Sequence, residues 1–300
     1  MFTPPPYSPG MNPVGSVARL RRYPVKSMLG EDVESSHVTE RGLRGDRSLA
    51  LVDRETGKLA SAKRPRMWGS LLSFNASFAD PVTAAGSLPP VRITFPDGSV
   101  RSSDDPSIED ALTATLGRAV RLAASHDEMQ YYEEVWYGSL KGGAEPYGPV
   151  IGEEDGEQLI DVPASLAALE GFFDAAAVHF ITSASLRSLA DAAPASRFEP
   201  ERFRPNLVID VPGTEGFIEN DWADRVVEIG DVKFKVLMSV PRCVMTTLPQ
   251  GDLPEDRDVL RTVSRTNRTE ALGREFPCAG VYATVEQDGE IRVGDAVRLA

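Results

Sequence analysis

Cysteine is scarce in this 300-residue chain: there are two, Cys243 and Cys278. Neither sits in a CxxC pair or a zinc-ligand spacing, which argues against a disulfide scaffold and a structural zinc site and favours two reduced thiols. Histidine is scarcer than usual too. His37, His126 and His179 are the full set, and none stands in a local hydrolase motif, so a His-activated nucleophile lacks support. No apolar run approaches the roughly 20 residues of a membrane span. The opening "MFTPPPYSPGMNPVG" has neither the basic start nor the apolar core of a secretory signal. Its prolines make residues 1–13 a flexible, polyproline-like tail, and Met11 offers an alternative start. Positive charge is also in short supply, with 32 Lys and Arg against 45 Asp and Glu, a net of −13. That argues against general binding to nucleic acid or an anionic membrane. It leaves room for a small anion in a local basic pocket, and a soluble, cytoplasmic protein is expected.

The chain can nevertheless bury a core, being 41% hydrophobic. "GSVARLRRYPVKS" alternates like a strand. "LALVDRETGKLASA" reads as two arms around an Asp53–Gly57 turn, and "PVRITFPDGSVRSS" repeats the scheme at Asp97-Gly98. "SIEDALTATLG" predicts a helix with Ser107 as cap and Gly117 as stop. Residues 126–157 are acidic and rich in Tyr and Trp, and read as an irregular connection. Its aromatics are either a substrate rim at 131–137 or packing between domains, the second being preferred. Beyond it, "SLAALEGFF" reads as a short helix, and "AVHFITSASLRSLADAA" as a strand entering a helix capped by Ser183 or Ser185. "FRPNLVIDV" and "DRVVEIGDVKFKVLMSV" read as strands, and "LPEDRDVLRTVSRTN" as a helix with Pro254 near its first turn. "AGVYATVEQDGEIRVGDAVRLA" closes the chain as strands. The fold class expected is mainly β (α+β): β-barrels with helical insertions.

One constellation carries chemistry. In "LMSVPRCVMTTLPQG" a strand stops at Pro241 and sets Arg242 beside Cys243. Thiolate is the reactive and ligating form, and a neighbouring cation lowers a thiol's pKa, although free cysteine is also a common core residue. Thr246 and Thr247 read either as donors that orient this loop or as strand formers. Cations stand at other strand ends: Lys26 with Ser27 in "YPVKSM", Arg44 and Arg47 in "GLRGDR", and Arg204 with Asn206 in "FRPN". In an acidic protein such a set fits an anion pocket.

"YPVKS", "GLRGDR", "FRPNLVI", "SVPRCVMTT" and "GVYATV…GEIRVGDAVRL" occur in this order over residues 14–299. That succession resembles the MOSC family (molybdenum cofactor sulfurase C-terminal domain) preceded by its N-terminal β-barrel domain, and most of all the amidoxime-reducing group. The resemblance implies an N-terminal MOSC β-barrel domain at 14–125, a connecting segment at 126–157 and a MOSC domain at 158–300. It implies a molybdopterin-type molybdenum cofactor with Cys243 as the protein ligand to the metal and as the catalytic residue. Lys26, Ser27, Arg47, Arg204, Asn206 and Tyr282 would contact the pterin. Asp174 is the transferable position of a stretch whose small hydroxyls are alanines here. Cys278 is not implied as a ligand, and a bridge between the two cysteines would block the metal-binding thiolate. The activity implied is reduction of N-hydroxylated compounds such as amidoximes and hydroxylamines. Because the sequence carries no cysteine cluster for an iron–sulfur domain, electrons would come from a separate ferredoxin- or cytochrome-type protein. Two alternatives stay open: a sulfur carrier using a Cys243 persulfide, and a protein that binds the cofactor without turnover.

Overall fold

The computed structural model describes residues 13–124, 131–164 and 172–300. Seven strands close into a barrel, running Val178–Thr182, Leu207–Asp210, Gly15–Arg22, Ala296–Leu299, Val226–Ile229, Val232–Pro241, Arg274–Gln287 and back to the first. Closure removes free edges from this sheet. The alternation seen in "GSVARLRR" is the reason its strand fits: Val17 and Leu20 turn inward, and a register shift between Val17 and Arg19 accommodates their spacing. The barrel interior is aliphatic, with Val227, Ile229, Val281 and Val297 around Phe180 and Phe234, whose rings meet edge to face at 5.0 Å. One pairing is parallel, Val178–Thr182 with Leu207–Asp210, and the helix Ser183–Ala192 makes the crossover.

The barrel takes its strands from both ends of the chain. Gly15–Arg22 pairs with Leu207–Asp210 and Ala296–Leu299, while Ser35–Thr39 pairs with Gly289–Arg292. A second core, built on Leu51, Trp68, Phe74, Ile93 and Leu112, holds the three-stranded sheet Asn75–Phe78, Val91–Thr94 and Val100–Ser102. A third core joins the two halves through Tyr132, Trp136, Phe172, Phe276 and Cys278.

Several local expectations change. Much of 131–157 is regular: Tyr131–Trp136, Val150–Glu154 and Glu157–Pro163 form an antiparallel sheet. Its alternation was hidden because Glu134 lies on the buried face with Tyr132 and Trp136. The Asp53–Gly57 turn forms, but its second arm makes only the bridge Val52–Leu59, and Ala50–Asp53 pairs instead with Val120–Ala123. The helix Ile108–Leu116 does stop at Gly117 in the left-handed conformation (φ 67°), yet Ser107 makes no cap; Asp105 takes its amide and hydroxyl. The crossover helix is capped by Thr182, whose side chain accepts from the Ser185 amide, while Ser183 donates to Asp210. The later helix is Asp258–Thr266, so Pro254 stands before it. Of "SLAALEGFF", residues 165–171 lie outside the described residues, and Phe172 and Phe173 are not helical. Among the described residues no helix is long and apolar enough to cross a membrane.

Candidate active site

The strand Val232–Pro241 ends at Pro241, and the chain turns through Arg242 and Cys243 into the 3-10 turn Val244–Thr247. This turn borders a cavity that is open to solvent on one side. The cavity lies between the barrel and the sheet holding Tyr131–Trp136.

Cys243 stands at the head of the turn in extended backbone and is partly exposed. Every carbonyl from residue 243 to 248 is held from outside or within the turn. The Thr246 hydroxyl donates to Cys243 O at 3.0 Å and the Thr247 hydroxyl to Val244 O at 2.8 Å. Gln250 Nε2 donates to Met245 O at 3.0 Å, and the Asp256 amide to Thr247 O at 2.8 Å. Arg202 Nη1 reaches Thr246 O at 3.1 Å and Leu248 O at 3.5 Å, and its Nη2 reaches Pro254 O at 2.9 Å. The threonines thus orient the loop, and their strand propensity is not expressed. A turn with its polar groups satisfied inside the protein is held in one conformation.

Adjacency to Arg242 does not lower the Cys243 thiol. Burial pushes its pKa up and Glu134 adds to that, against the opposing ammonium groups of Lys63 and Lys141. The Arg242 guanidinium is engaged by the carbonyls of Phe203 and Ala279. Cys278 is buried in the third core outside the cavity wall, and burial pushes its thiol up to about 11. Both cysteines are free thiols.

The structure brings most of the sequence-picked residues together. Arg47, Asp174, Arg204, Cys243 and Tyr282 all line the cavity. Lys26 sits directly behind it, donating to Phe172 O at 3.1 Å and to the Asp174 carboxylate. Burial works to raise the Asp174 carboxyl, but Lys26 and Lys63 overrule it and hold it well below the usual carboxylate range. Ser27 and Asn206 are not in the wall. Ser27 Oγ accepts from the Ala62 amide at 3.1 Å. Asn206 and His179 are clasped by two bonds: the His179 amide donates to Asn206 Oδ1 at 3.1 Å and the Asn206 amide to His179 O at 2.8 Å. Arg44, noted beside Arg47, donates to Gly86 O away from the cavity.

Backbone strain marks the same residues. Ser27 (φ 64°), Arg47 (φ 47°) and Arg204 (φ 55°) are left-handed without being glycine. Such conformations cost of order 1–3 kcal/mol each and cluster at functional sites. The guanidinium carbons of Arg47 and Arg204 lie 4.6 and 4.3 Å from the Tyr23 ring centroid, so one aromatic face system carries two like charges.

The charge balance of the wall tests whether an anionic cofactor fits. Arg47 has Asp46 as a partner. Arg202, Arg204 and Arg242 have no carboxylate partner among the described residues and donate to carbonyls alone. Burial pushes Arg204 down to about 10, against the partial support of Tyr23. Guanidiniums left without anions in a cavity suit a ligand that brings phosphate or thiolate charge. His179, also in the wall, has an Nε2 without a partner among the described residues. Gly280 (φ 77°) makes room for it: a Cβ there would fall 2.4 Å from His179 Nε2 and 2.3 Å from Phe180 O. The described residues hold no group of three His, Cys, Asp or Glu suited to a metal, so a metal held here would take most of its coordination from a cofactor. The residues present fit a molybdopterin-type group.

Sequence reasoning missed Lys63, Glu134, Lys141, Tyr147, His179 and Arg202, all of which line the cavity, as does Tyr132 from the 131–137 stretch read as a rim or as packing. Glu134 alone left a usable signal, a carboxylate in phase with Tyr132 and Trp136 on an apolar strand face.

Comparison with known proteins identifies two family domains along the chain. Residues 170–298 match the MOSC domain, and residues 14–77 the MOSC N-terminal beta barrel domain. Mitochondrial amidoxime reducing component 2 of Rattus norvegicus is 27% identical over 297 residues, covering 95% of this chain and 83% of its own length. Mitochondrial amidoxime-reducing component 1 of Mus musculus is 26% identical over 306 residues, covering 95% and 82%. Mitochondrial amidoxime reducing component 2 of Macaca fascicularis is 28% identical over 307 residues, covering 95% and 83%. The chain is therefore a member of the MOSC-domain family, with the family's N-terminal β-barrel domain, and resembles the mitochondrial amidoxime-reducing component group.

Proposed function

We propose that this protein is a molybdenum-cofactor-dependent oxidoreductase that reduces N-hydroxylated compounds, amidoximes and hydroxylamines, using electrons from a separate ferredoxin- or cytochrome-type protein. The observation that supports it most directly is a partly exposed thiol on a pinned turn, facing guanidiniums that lack carboxylate partners. Cys243 would hold the metal. Arg47 and Arg204, with Lys26 behind them, would meet the anionic parts of the pterin, and Tyr282 would form a side wall. Ser27 and Asn206 serve through the backbone, by fixing the Ala62 segment and the His179 strand. Asp174 holds two ammonium groups in place. When bound, the cofactor supplies two-electron redox chemistry. The protein's own part is to supply countercharge, to exclude bulk water and to present an apolar side to the substrate, made by Val162, Met238, Met245 and Leu272.

The test is metal analysis of protein purified from a cofactor-producing host. Wild type should carry molybdenum near one atom per chain, and Cys243→Ala should carry little and lose reductase activity. Full molybdenum retention with unchanged activity in the variant would remove Cys243 from the metal. A Cys243 persulfide in wild type without molybdenum would instead favour sulfur transfer.

A further inference from the structure

Tyr132 and Lys63 stand in the cavity wall outside the set assigned above, and both are buried. Lys63 Nζ donates to Tyr132 Oη at 2.8 Å. The phenol oxygen is thus an acceptor, and its own proton has no acceptor among the described residues. A hydroxyl in that state keeps one donor to give, and Tyr132 lines the cavity.

The surroundings keep the phenol protonated and set a cation beside the phenolate that transfer would leave. The ring lies with Lys63 Nζ 4.6 Å and Lys26 Nζ 4.9 Å from its centroid. The Lys63 ammonium stabilises the phenolate that remains after transfer, against burial and the carboxylates of Asp174 and Glu134. The facing carboxylates hold these cations. Lys63 Nζ is 3.2 Å from Asp174 Oδ2 and 3.6 Å from Glu134 Oε2. Glu134 is itself held by Lys141 Nζ at 3.0 Å and by the Tyr147 hydroxyl. Burial, working against Lys63, keeps the Tyr132 phenol well above its ordinary pKa, so it is protonated at neutral pH.

We propose that Tyr132 is the proton donor to the oxygen that leaves the substrate, and that Lys63 is its positioning partner. The proposal rests on the N-reduction reading. A hydroxylamine R–NH–OH takes up two electrons, delivered by the reduced electron-donor protein, and two protons. The N–O bond breaks, the oxygen leaves as water and the nitrogen ends as R–NH2. One proton comes from the Tyr132 O–H bond and goes to the departing oxygen; the other comes from solvent and goes to nitrogen. The tyrosinate is neutralised by the Lys63 ammonium until water from the open side of the cavity reprotonates it.

Wild type, Tyr132→Phe and Lys63→Met are prepared from the same host, with molybdenum per chain measured before turnover of a small aromatic amidoxime. Tyr132→Phe should keep wild-type molybdenum and KM, while kcat falls about 100-fold, the usual size of a lost general acid. Undiminished kcat at full molybdenum, or loss of the metal itself, overturns the assignment. A second readout does not depend on activity. An ultraviolet difference titration, wild type minus Tyr132→Phe, isolates the Tyr132 phenolate transition. The same difference in a Lys63→Met background should move that transition to higher pH, and an unmoved transition overturns the role of Lys63. Wild type that holds no molybdenum and reduces no amidoxime sinks the N-reduction reading and the donor with it. An active, loaded wild type beside an equally active Tyr132→Phe sinks the donor alone.

Discussion

Arg204 carries two local penalties at once. Its backbone is left-handed at φ 55°, and its half-buried guanidinium has no carboxylate among the described residues. Neither helps the chain fold, so their persistence points to a ligand. Replacing it with glycine relieves the backbone and removes the unpartnered half-buried charge, at the expense of a bond to Met28 O and some unfolded-state entropy. Arg204→Gly should therefore unfold within about 1 kcal/mol of wild type or later in a urea titration, while its molybdenum content collapses. A large loss of stability would make Arg204 a structural residue. The sequence marked Arg204 through its place before Pro205 and Asn206. It gave no sign of the strain, because a backbone dihedral is set by what the neighbours on both sides must reach.

Among the elements, the Cys243–Leu248 turn is the one whose shape matters most, and Arg202 is its main external clamp. A fully buried guanidinium that donates to Arg197 O, Thr246 O, Leu248 O and Pro254 O ties three segments to the short helix Pro200–Phe203. Removing it leaves buried carbonyls unpaired, each costing about 1–3 kcal/mol. Arg202→Gln should lower stability by about 3 kcal/mol and free the turn, so that a thiol reagent alkylates Cys243 at least about 10-fold faster in the folded protein. An alkylation rate equal to wild type would show that the turn holds its own shape. The strand before the turn and the proline that ends it could be read from residues 232–241. Arg202 could not be, since three of its four acceptors lie 44 to 52 positions downstream.

For the molecule as a whole, the buried titratable groups of the cavity set the pH response. His179 has its pKa pushed well below the ordinary value by burial first and by Arg242 next. Its folded pKa is depressed, so the unfolded chain takes up a proton near pH ~6.5 that the folded one refuses. Stability is full above that pH and falls as the pH drops through it. Asp174, also depressed, has the same sign but acts lower, with its contribution present above about pH 4 and lost on further acidification. Wild type should therefore show a lower urea midpoint at about pH 5.5 than at about pH 7.5, and His179→Gln should flatten that difference. A slope unchanged in the variant would assign it to other groups. The chain's formal charge of −13 hides this basic interior, because charges sum along a sequence but act by distance.

By itself the sequence determined the strand-rich class, the turn-bounded strands and the order of motifs that places Cys243, Lys26, Arg47 and Arg204 in one family pattern. These rest on local periodicity, turn chemistry and short spacings, which neighbouring residues specify. Tertiary structure alone decided that Gly15–Arg22 closes a barrel with strands from the far end of the chain, and that Glu134, Lys63 and Tyr132 meet in one wall. It also decided that Arg242 serves carbonyls while the thiol beside it is raised. Burial, pairing across long loops and the loss of solvent screening are properties of the packed chain, and no window of sequence contains them.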